Sequence, residues 1–420
     1  MTDTIYALSS GAPPAAVALI RISGPGADAA RGALAGRLPE PRVATFRRLR
    51  ADGEVLDNTV IVRFPGPNSA TGEDITELHL HGGRAVVARA LEALGRIEGL
   101  REARPGEFTR RAYENGRIDL AEAEGLADLL EAETESQRRA ALALAGGALS
   151  RQIGAWQQRI LALSAEVEAA LDFSDEDDVT PLTRAFGVQV RAIQDELVAT
   201  LARPRAERLK DGIRVAIAGP PNAGKSSLLN VLAGRDAAIT SSIPGTTRDL
   251  VEVPTAIGGV PFLLVDSAGL RESADPVEAI GIARAQASVA AADIVLWLGD
   301  ARDAPARALL VHAKADLGPP PGRADVSVSV MTGEGVDALT RLLIQHSSSL
   351  LPATGEVALH ERHWTALREA CEALTEVKAA DPLVAAECLR WARDALDRVT
   401  GKAGVEDMLD ALFGRFCIGK

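Results

Sequence analysis

The sequence predicts a multidomain protein: a small α+β domain, then an α-helical domain into which an α/β domain is inserted. Three observations predict it. Residues 1–116 alternate short β-rich runs with turns, and from Arg117 apolar residues recur at the three-and-four spacing of helices. Within the helical part, residues 213–218 form a β-rich run that enters a glycine-rich loop and then a new helical pattern. A chain of 420 residues has room for two to four domains. The texture places them at 1–116, 117–209, 210–350 and 351–420, the second and fourth being halves of one helical domain.

Composition narrows the class. With 47% hydrophobic and 25% charged residues the chain reads as a soluble globular protein, and 3% aromatics leave its cores to Leu, Val and Ala. A net charge of −12 argues against nucleic-acid binding by the surface as a whole, though not by a local basic patch. Cys371, Cys388 and Cys417 are too few for a disulfide framework, which points to a reducing compartment. The N-terminus lacks the basic start and apolar run of a signal peptide, and no apolar stretch is long enough for a membrane span. The expected setting is the cytoplasm, with no membrane partner.

In chain order, residues 17–22 read as a strand, followed by the turn Ser23-Gly24-Pro25-Gly26 and an Ala-rich helix. Residues 59–64 are a second strand, closed by Pro65-Gly66-Pro67-Asn68-Ser69. Residues 77–81 alternate and end at Gly82-Gly83, after which 85–94 read as a helix. Helices are expected over 118–135 and 136–172, with Leu120, Ala123, Leu126, Leu129 and Leu130 on one face, and another over 185–209. The acidic run 172–178 lacks the Gly-centred loop of a calcium site and reads as a solvated turn. Helical periodicity resumes past Pro352 and continues to about Leu412.

The stretch Gly219-Pro220-Pro221-Asn222-Ala223-Gly224-Lys225-Ser226, continuing into Ser227, has the spacing of a phosphate-binding loop. Between a strand and a helix, its backbone N–H groups and the helix N-terminus converge on phosphate oxygens. Lys225 would reach the β- and γ-phosphates, and the Ser226 hydroxyl would ligate Mg²⁺. Asp266-Ser267-Ala268-Gly269 follows the apolar run 262–265; the Asp can hold the Mg²⁺ water shell and the Gly N–H can sense the γ-phosphate. Between them lies Ser241-Ser242-Ile243-Pro244-Gly245-Thr246-Thr247, where Thr247, or Thr246 in the alternative register, would complete the Mg²⁺ shell.

Base choice falls to Ala313-Lys314-Ala315-Asp316, where an Asn-Lys-x-Asp motif is expected. Asp316 can accept from guanine N1–H and the exocyclic amine, a pair that adenine does not offer. Lys314 can lay its stem along the base. The amide expected at 313 is missing, which removes one hydrogen bond to the base and should weaken guanine affinity without switching the base. Ser329-Val330-Met331 can offer a backbone N–H to the guanine carbonyl. GTP is favoured over ATP. Between Asp300 and His312 the chain is short for the helix and strand that this fold normally places there.

At this point the sequence resembles the MnmE (TrmE) family of tRNA-modification GTPases over essentially its whole length. The resemblance rests on Leu19-Ile20-Arg21-Ile22-Ser23-Gly24, on Phe64-Pro65-Gly66-Pro67-Asn68-Ser69 with Thr71-Gly72-Glu73-Asp74, and on His81-Gly82-Gly83. It continues through Ala103-Arg104-Pro105-Gly106-Glu107-Phe108-Thr109 and Asp119-Leu120-Ala121-Glu122-Ala123-Glu124 to the terminal Phe416-Cys417-Ile418-Gly419-Lys420. It implies a Ras-like G domain and an N-terminal domain that forms homodimers and binds a tetrahydrofolate one-carbon donor through Arg21, Glu77, Arg117 and Lys420. Arg117 stands where many relatives carry Lys. It also implies a heterotetramer with the FAD-dependent MnmG, tRNA being reached largely through that partner. Together they would add an aminomethyl or carboxymethylaminomethyl group at carbon 5 of the wobble uridine.

Two further implications concern hydrolysis. Asn222, Ser241, Ile243 and Thr246 match K⁺-ligating positions, so K⁺ would supply the charge that an arginine finger gives other GTPases. Leu270 stands where Ras-like enzymes have a water-orienting Gln, and by resemblance Glu278 takes over, acting on the attacking water through a second water. Other features are weaker. His79 and His81 share a strand face without an evident third metal ligand, and Cys417 lies in the terminal signature. Two other readings stand beside the main one. One is a ribosome-assembly GTPase of the Era/Der type, for which no RNA-binding GXXG loop is visible. The other is a folate-binding protein with a degenerate GTPase.

Overall fold

The computed structural model describes residues 3–37, 39–172, 182–234, 252–266, 287–353, 356–402 and 406–420, with backbone alone at 406 and 407. These divide into two compact units, Met1–Ala127 with Asp397–Lys420, and Asp128–Leu396.

The first unit is built on a six-stranded sheet: β1 (Thr4–Leu8), β2 (Ala15–Ser23), β3 (Thr45–Ala51), β4 (Glu54–Phe64), β5 (Ile75–Gly82) and β6 (Leu100–Glu102), in the order β3-β4-β5-β2-β1-β6. All neighbours are antiparallel except β1 and β6. Alternation sets the faces: Ala18, Ile20, Ile22, Leu49, Ile61, Leu78 and Leu80 point inward, beneath helices Ala27–Ala35 and Arg84–Gly95. The sequence reading missed β3. It pairs with β4 through a two-residue turn at Asp52 and Gly53, both with positive φ, the conformation an Asp-Gly hairpin favours.

Helix Leu120–Glu131 corrects another expectation. Its buried residues are Leu120, Ala121, Ala123, Glu124, Gly125 and Ala127, while Leu130 is 46% exposed. Small residues are the ones that fit here, because Leu120, Ala123 and Ala127 pack on Leu409, Leu412, Phe413 and Phe416 from the C-terminal segment. That segment sits close. A Cβ on Gly106 would lie 2.2 Å from Phe413 O, and one on Gly419 2.2 Å from Leu8 O.

Arg111, on helix Glu107–Glu114 and 1% exposed, binds this unit internally. Its Nη1 donates to Asp3 O and Glu73 Oε2, each at 3.0 Å, and its Nη2 to Asp3 Oδ1 at 3.0 Å and Glu107 Oε1 at 3.3 Å. Glu73 also accepts from Ser23 Oγ at 2.7 Å, tying the network to the end of β2.

The second unit holds helices Glu135–Ala145, Ala148–Asp172, Arg184–Leu201, Glu207–Lys210, Glu361–Thr375 and most of Pro382–Thr400, together with a second sheet. The expected helix over 136–172 breaks at Gly146 and Gly147, the latter at φ 73°. The expected helix over 185–209 stops at Leu201, ahead of Pro204, which disfavours helix at the preceding residue. In Ala148–Asp172 the buried stripe is Leu149, Ile153, Trp156, Ile160, Leu163 and Val167. Trp156 Nε1 donates to Glu196 Oε2 at 2.8 Å, so its one polar atom is satisfied in the interior.

The second sheet comprises β7 (Ile213–Ala218), β8 (Glu252–Ile257), β9 (Val260–Asp266), β10 (Ile294–Trp297), β11 (Leu309–His312) and β12 (Val326–Ser327), in the order β12-β11-β10-β7-β9-β8. Only the β8–β9 pair is antiparallel. Helices Lys225–Ala233 and Val336–Ser347 pack Leu228, Leu229, Leu232, Val336, Leu339 and Leu343 on one face. Parallel neighbours normally need a helical crossover of a dozen or more residues. Here β10 and β11 are joined by turns over 298–308, among them Asp303 N–H to Asp300 O at 3.1 Å. The short segment therefore keeps the strand and dispenses with the helix.

Removing the Arg111 guanidinium leaves buried carboxylates without their counter-charge, which costs about 3–5 kcal/mol. Arg111→Met should therefore lower the unfolding free energy by about that amount, read as lost hydrogen-exchange protection in β1 and β2. Burial alone would raise the Glu107 pKa, but the Arg101 hydrogen bond, the Arg104 N–H and the Arg101 and Arg111 charges hold it below the usual carboxylate range. A depressed carboxylate stabilises the fold above its unfolded-state pKa, and that stabilisation is lost as pH falls through the folded value. Protection of β1 should accordingly decline below about pH 4, in the range of an ordinary Glu; protection that is flat through that range would contradict this account.

Candidate functional site

The phosphate loop leaves β7 at Ala218 and enters helix Lys225–Ala233 at its N-cap, Gly224. Its backbone is unusual at three points: φ is 147° at Gly219, 60° at Asn222 and 97° at Gly224. Gly219 is also crowded, since a Cβ there would lie 3.1 Å from the Leu298 carbonyl carbon, which would have to give by a few tenths of an ångström. Asn is among the few L-residues that tolerate the left-handed region, which fits its place in the loop.

Lys225 is 7% exposed, and its Nζ donates to Gly219 O at 2.9 Å and Pro220 O at 2.8 Å, so the ammonium lies over the loop it closes. Burial pushes its pKa below the ordinary lysine value, and the Asp266 carboxylate pulls the other way. One residue further on, Ser226 Oγ donates to Asp266 Oδ2 at 2.6 Å. That hydrogen bond follows from topology. Asp266 ends β9, where Ile217 of β7 pairs with it, so the strand-end carboxylate arrives beside the first helical turn. A hydroxyl and a carboxylate held together at a phosphate-binding helix terminus are the oxygen donors suited to Mg²⁺. Ala223 and Ser227 flank this pair in the loop and the helix's first turn.

The base-reading segments are joined to the loop. Lys314 Nζ donates to Asn222 O at 2.9 Å. Lys314 forms an antiparallel bridge with Ser329, and Ala315 N–H donates to Val328 O at 3.1 Å. Ser329 is buried and accepts from Gly333 N–H at 2.9 Å through its carbonyl, whereas Met331 is 85% exposed and Val330 is half-buried. Asp316 is exposed, free of the interior. Ala313 is 8% exposed, and its Cβ lies 3.7 Å from where a Gly224 side chain would begin. The residue that breaks the expected motif is thus packed against the phosphate loop itself. Sequence reasoning missed Leu298; the requirement for Gly at 219 signals a close neighbour without saying which.

In the first unit, Arg21 Nη2 and Nε donate to Glu77 Oε1 at 2.8 and 3.1 Å, both residues on the outer sheet face. The Arg21 guanidinium stands 5.8 Å from the Phe108 ring centre. The neighbour of Lys420, Gly419, lies against Leu8 of β1, the strand on which Ala7 pairs with Arg21. Arg117 is exposed, with its Cγ 3.3 Å from a Cβ placed on Gly72. His81 Nδ1 lies 2.7 Å from Asp57 Oδ1, and among the described residues no three His, Cys, Asp or Glu form a metal cluster. Cys417 is exposed, while Cys371 and Cys388 are buried. Glu278, Leu270, Ser267, Ala268, Gly269, Ser241, Ser242, Ile243, Pro244, Gly245, Thr246, Thr247 and the acidic run beyond Asp172 lie outside the described residues.

Strand order, loop and paired Ser226–Asp266 define a P-loop protein with a Ras-like G domain, joined to an α+β domain and helices. Residues 4–117 match the family model described as GTP-binding protein TrmE N-terminus, and residues 120–417 match that of the MnmE helical domain. The chain belongs to the MnmE family. It is 57% identical over 426 residues to the tRNA modification GTPase MnmE of Rhizorhabdus wittichii, covering 100% of this chain and 97% of that one. It is 56% identical over 423 residues to that of Erythrobacter litoralis, covering 100% of both. Among solved structures, the G domain of the T. maritima FeoB iron transporter is 25% identical, with a TM-score of 0.25, over 32% of this chain and 98% of that one.

Hydrogen bonds from a charged donor are worth about 1.5–3 kcal/mol, so losing that from Lys225 corresponds to roughly 10- to 100-fold in affinity. Lys225→Ala should weaken nucleoside triphosphate binding by that factor in a fluorescent-nucleotide titration. Unaltered affinity would mean that the ammonium serves only to close the loop.

Proposed function

We propose that this protein is a K⁺-dependent GTPase that acts with MnmG to modify carbon 5 of the tRNA wobble uridine, using a tetrahydrofolate one-carbon donor. The product carries an aminomethyl or carboxymethylaminomethyl group. The observation that carries the reading is the Ser226–Asp266 hydrogen bond beneath a complete phosphate loop, in a chain similar along its whole length to proteins named tRNA modification GTPase MnmE. We assign residues 1–116 to folate binding and homodimerisation, 210–350 to GTP hydrolysis, and 117–209 with 351–420 to the two halves of a helical domain into which the GTPase domain is inserted. No helix among the described residues is long and apolar enough to cross a membrane, and we place the protein in the cytoplasm.

In this reading Lys225 and the loop amides bind the β- and γ-phosphates, and Ser226, Asp266 and Thr247 hold Mg²⁺ and its water shell. Asn222, Ser241, Ile243 and Thr246 hold K⁺, which supplies positive charge beside the phosphates as charge develops there. Glu278 orients the attacking water through a second water, the task that Leu270 has no polar group to perform. Asp316 and Lys314 select guanine, with Ser329 to Met331 behind the base. Arg21, Glu77, Arg117 and Lys420 hold the folate, and tRNA is bound largely through MnmG in a heterotetramer.

Three measurements test this. Glu278→Ala should reduce GTP turnover at least 100-fold, the lower range for a positioned acid–base group, while GTP affinity is unchanged; lost binding would make the residue structural. Replacing K⁺ by Na⁺ should slow turnover, and equal rates in the two salts would remove the cation's role. Wobble-uridine nucleosides from a deletion strain, analysed by mass spectrometry, should lack the modification; intact modification would overturn the proposal.

A further inference from the structure

The first sheet ends in an edge strand whose outer face is basic and aromatic. On β3, Thr45, Arg47, Leu49 and Ala51 take the inner parity, set by Leu49, which is fully buried. Phe46, Arg48 and Arg50 take the other. Phe46 is 65% exposed, and Arg48 and Arg50 are exposed. Their partners on β4 are Val60, Asn58 and Val55, so no acidic side chain stands opposite them. Neither arginine has an ion-pair partner among the described residues. In the same unit the arginines at 63, 89, 96, 101, 110 and 111 are paired with carboxylates, whereas those at 42, 47, 84, 104 and 117 also lack an ion pair among the described residues.

The register places this edge on the same face as the candidate folate pair. Phe46 pairs with Val60, Val60 with His79, and His79 with Leu19; Glu77 and Arg21 form the row two residues along. Three inter-strand steps and one two-residue step put Phe46 on the order of 16 Å from Arg21.

We propose that the outer face of β3 binds single-stranded RNA, with Phe46 stacking on a base and Arg48 and Arg50 contacting phosphates. An exposed ring gives a base a sequence-tolerant platform, and the unpaired arginines supply the charge complementary to the backbone. A second copy of the chain is the poorer occupant. Two β3 strands paired antiparallel about a two-fold axis at Leu49, the centre of the patch, would set Arg48 of one copy opposite Arg50 of the other, and like charges opposed across strands are destabilising. The assignment rests on the reading that RNA is the substrate, and it deepens that reading: an unpaired loop on this edge is delivered towards the one-carbon site.

The test uses the full chain and a fluorescently labelled anticodon stem-loop RNA followed by anisotropy. Phe46→Ala should raise Kd roughly 5- to 100-fold, and Phe46→Tyr, which keeps the ring, should bind as wild type. Arg48→Glu with Arg50→Glu should weaken binding and flatten the log–log salt slope by roughly 1.4, about 0.7 for each phosphate that is no longer neutralised. GTP turnover should be the same in all three variants. The proposal is overturned by unchanged Kd and slope in Phe46→Ala and the double variant, by loss of binding in Phe46→Tyr, or by new self-association of the double variant with RNA binding intact. The last outcome would mean that the arginines only guard the strand edge. Deletion-strain nucleosides that keep the wobble modification would sink the functional reading but leave this binding measurement to stand or fall separately.

Discussion

The nucleotide site depends on how closely three strand ends approach one another. Gly219 lies against the backbone of Leu298, Ser226 bonds to Asp266, and the Ala313 methyl faces the side of Gly224 where a side chain would stand. These approaches come from β10, β9 and β11, the three parallel strands nearest the loop on either side of β7. A side chain at Gly219 would press on the backbone of Leu298, just past β10, and would force an L-residue into a φ of 147° that it rarely adopts. Because the sheet is close-packed beneath, the loop has little freedom to relax. Of the positive φ values at 219, 222 and 224, only that at Asn222 costs strain, since the two glycines have no Cβ to oppose it.

The same closeness bears on the departure at 313. An Asn there would bring an amide to a position that Ala313 fills with one methyl group against Gly224. The link between base-reading loop and phosphate loop is left to Lys314, bonded to Asn222 O, and to the backbone bridge with Ser329. Loss of the helix between β10 and β11 lies next to these segments and leaves their strand pairing intact. The guanine edge is trimmed without being dismantled.

What could be read from the sequence was local. Strands β2, β4 and β5 announced themselves by alternation, and the phosphate loop by spacing, because each signal is confined to a dozen residues. β3 was missed since Leu49 is its one large apolar inward residue, which leaves little alternation to read; Asp52-Gly53 was the available clue. Leu130 misled for the opposite reason, an apolar residue left outside where small Ala side chains fit between the helices. Pairings between distant residues were out of reach. Lys314 and Asn222 are 92 positions apart, and Arg111 meets Asp3 across 108. A buried arginine has no periodicity that would flag its partners.

The discontinuity of the first unit has a kinetic side. Residues 397–420 supply Phe413 and Phe416 to its core and lay Gly419 along β1, yet residues 128–396 are synthesised in between. Domains generally fold as units during synthesis at about 5–20 residues per second. On that clock the sheet waits roughly 15 to 58 seconds for its last pieces after Ala127 has been made. For that interval the face of helix Leu120–Glu131 that carries Leu120 and Ala123 is without its native cover, and a nascent chain cut short there never acquires it. Completion of this unit therefore follows synthesis of the whole second unit, although its strands are translated before it.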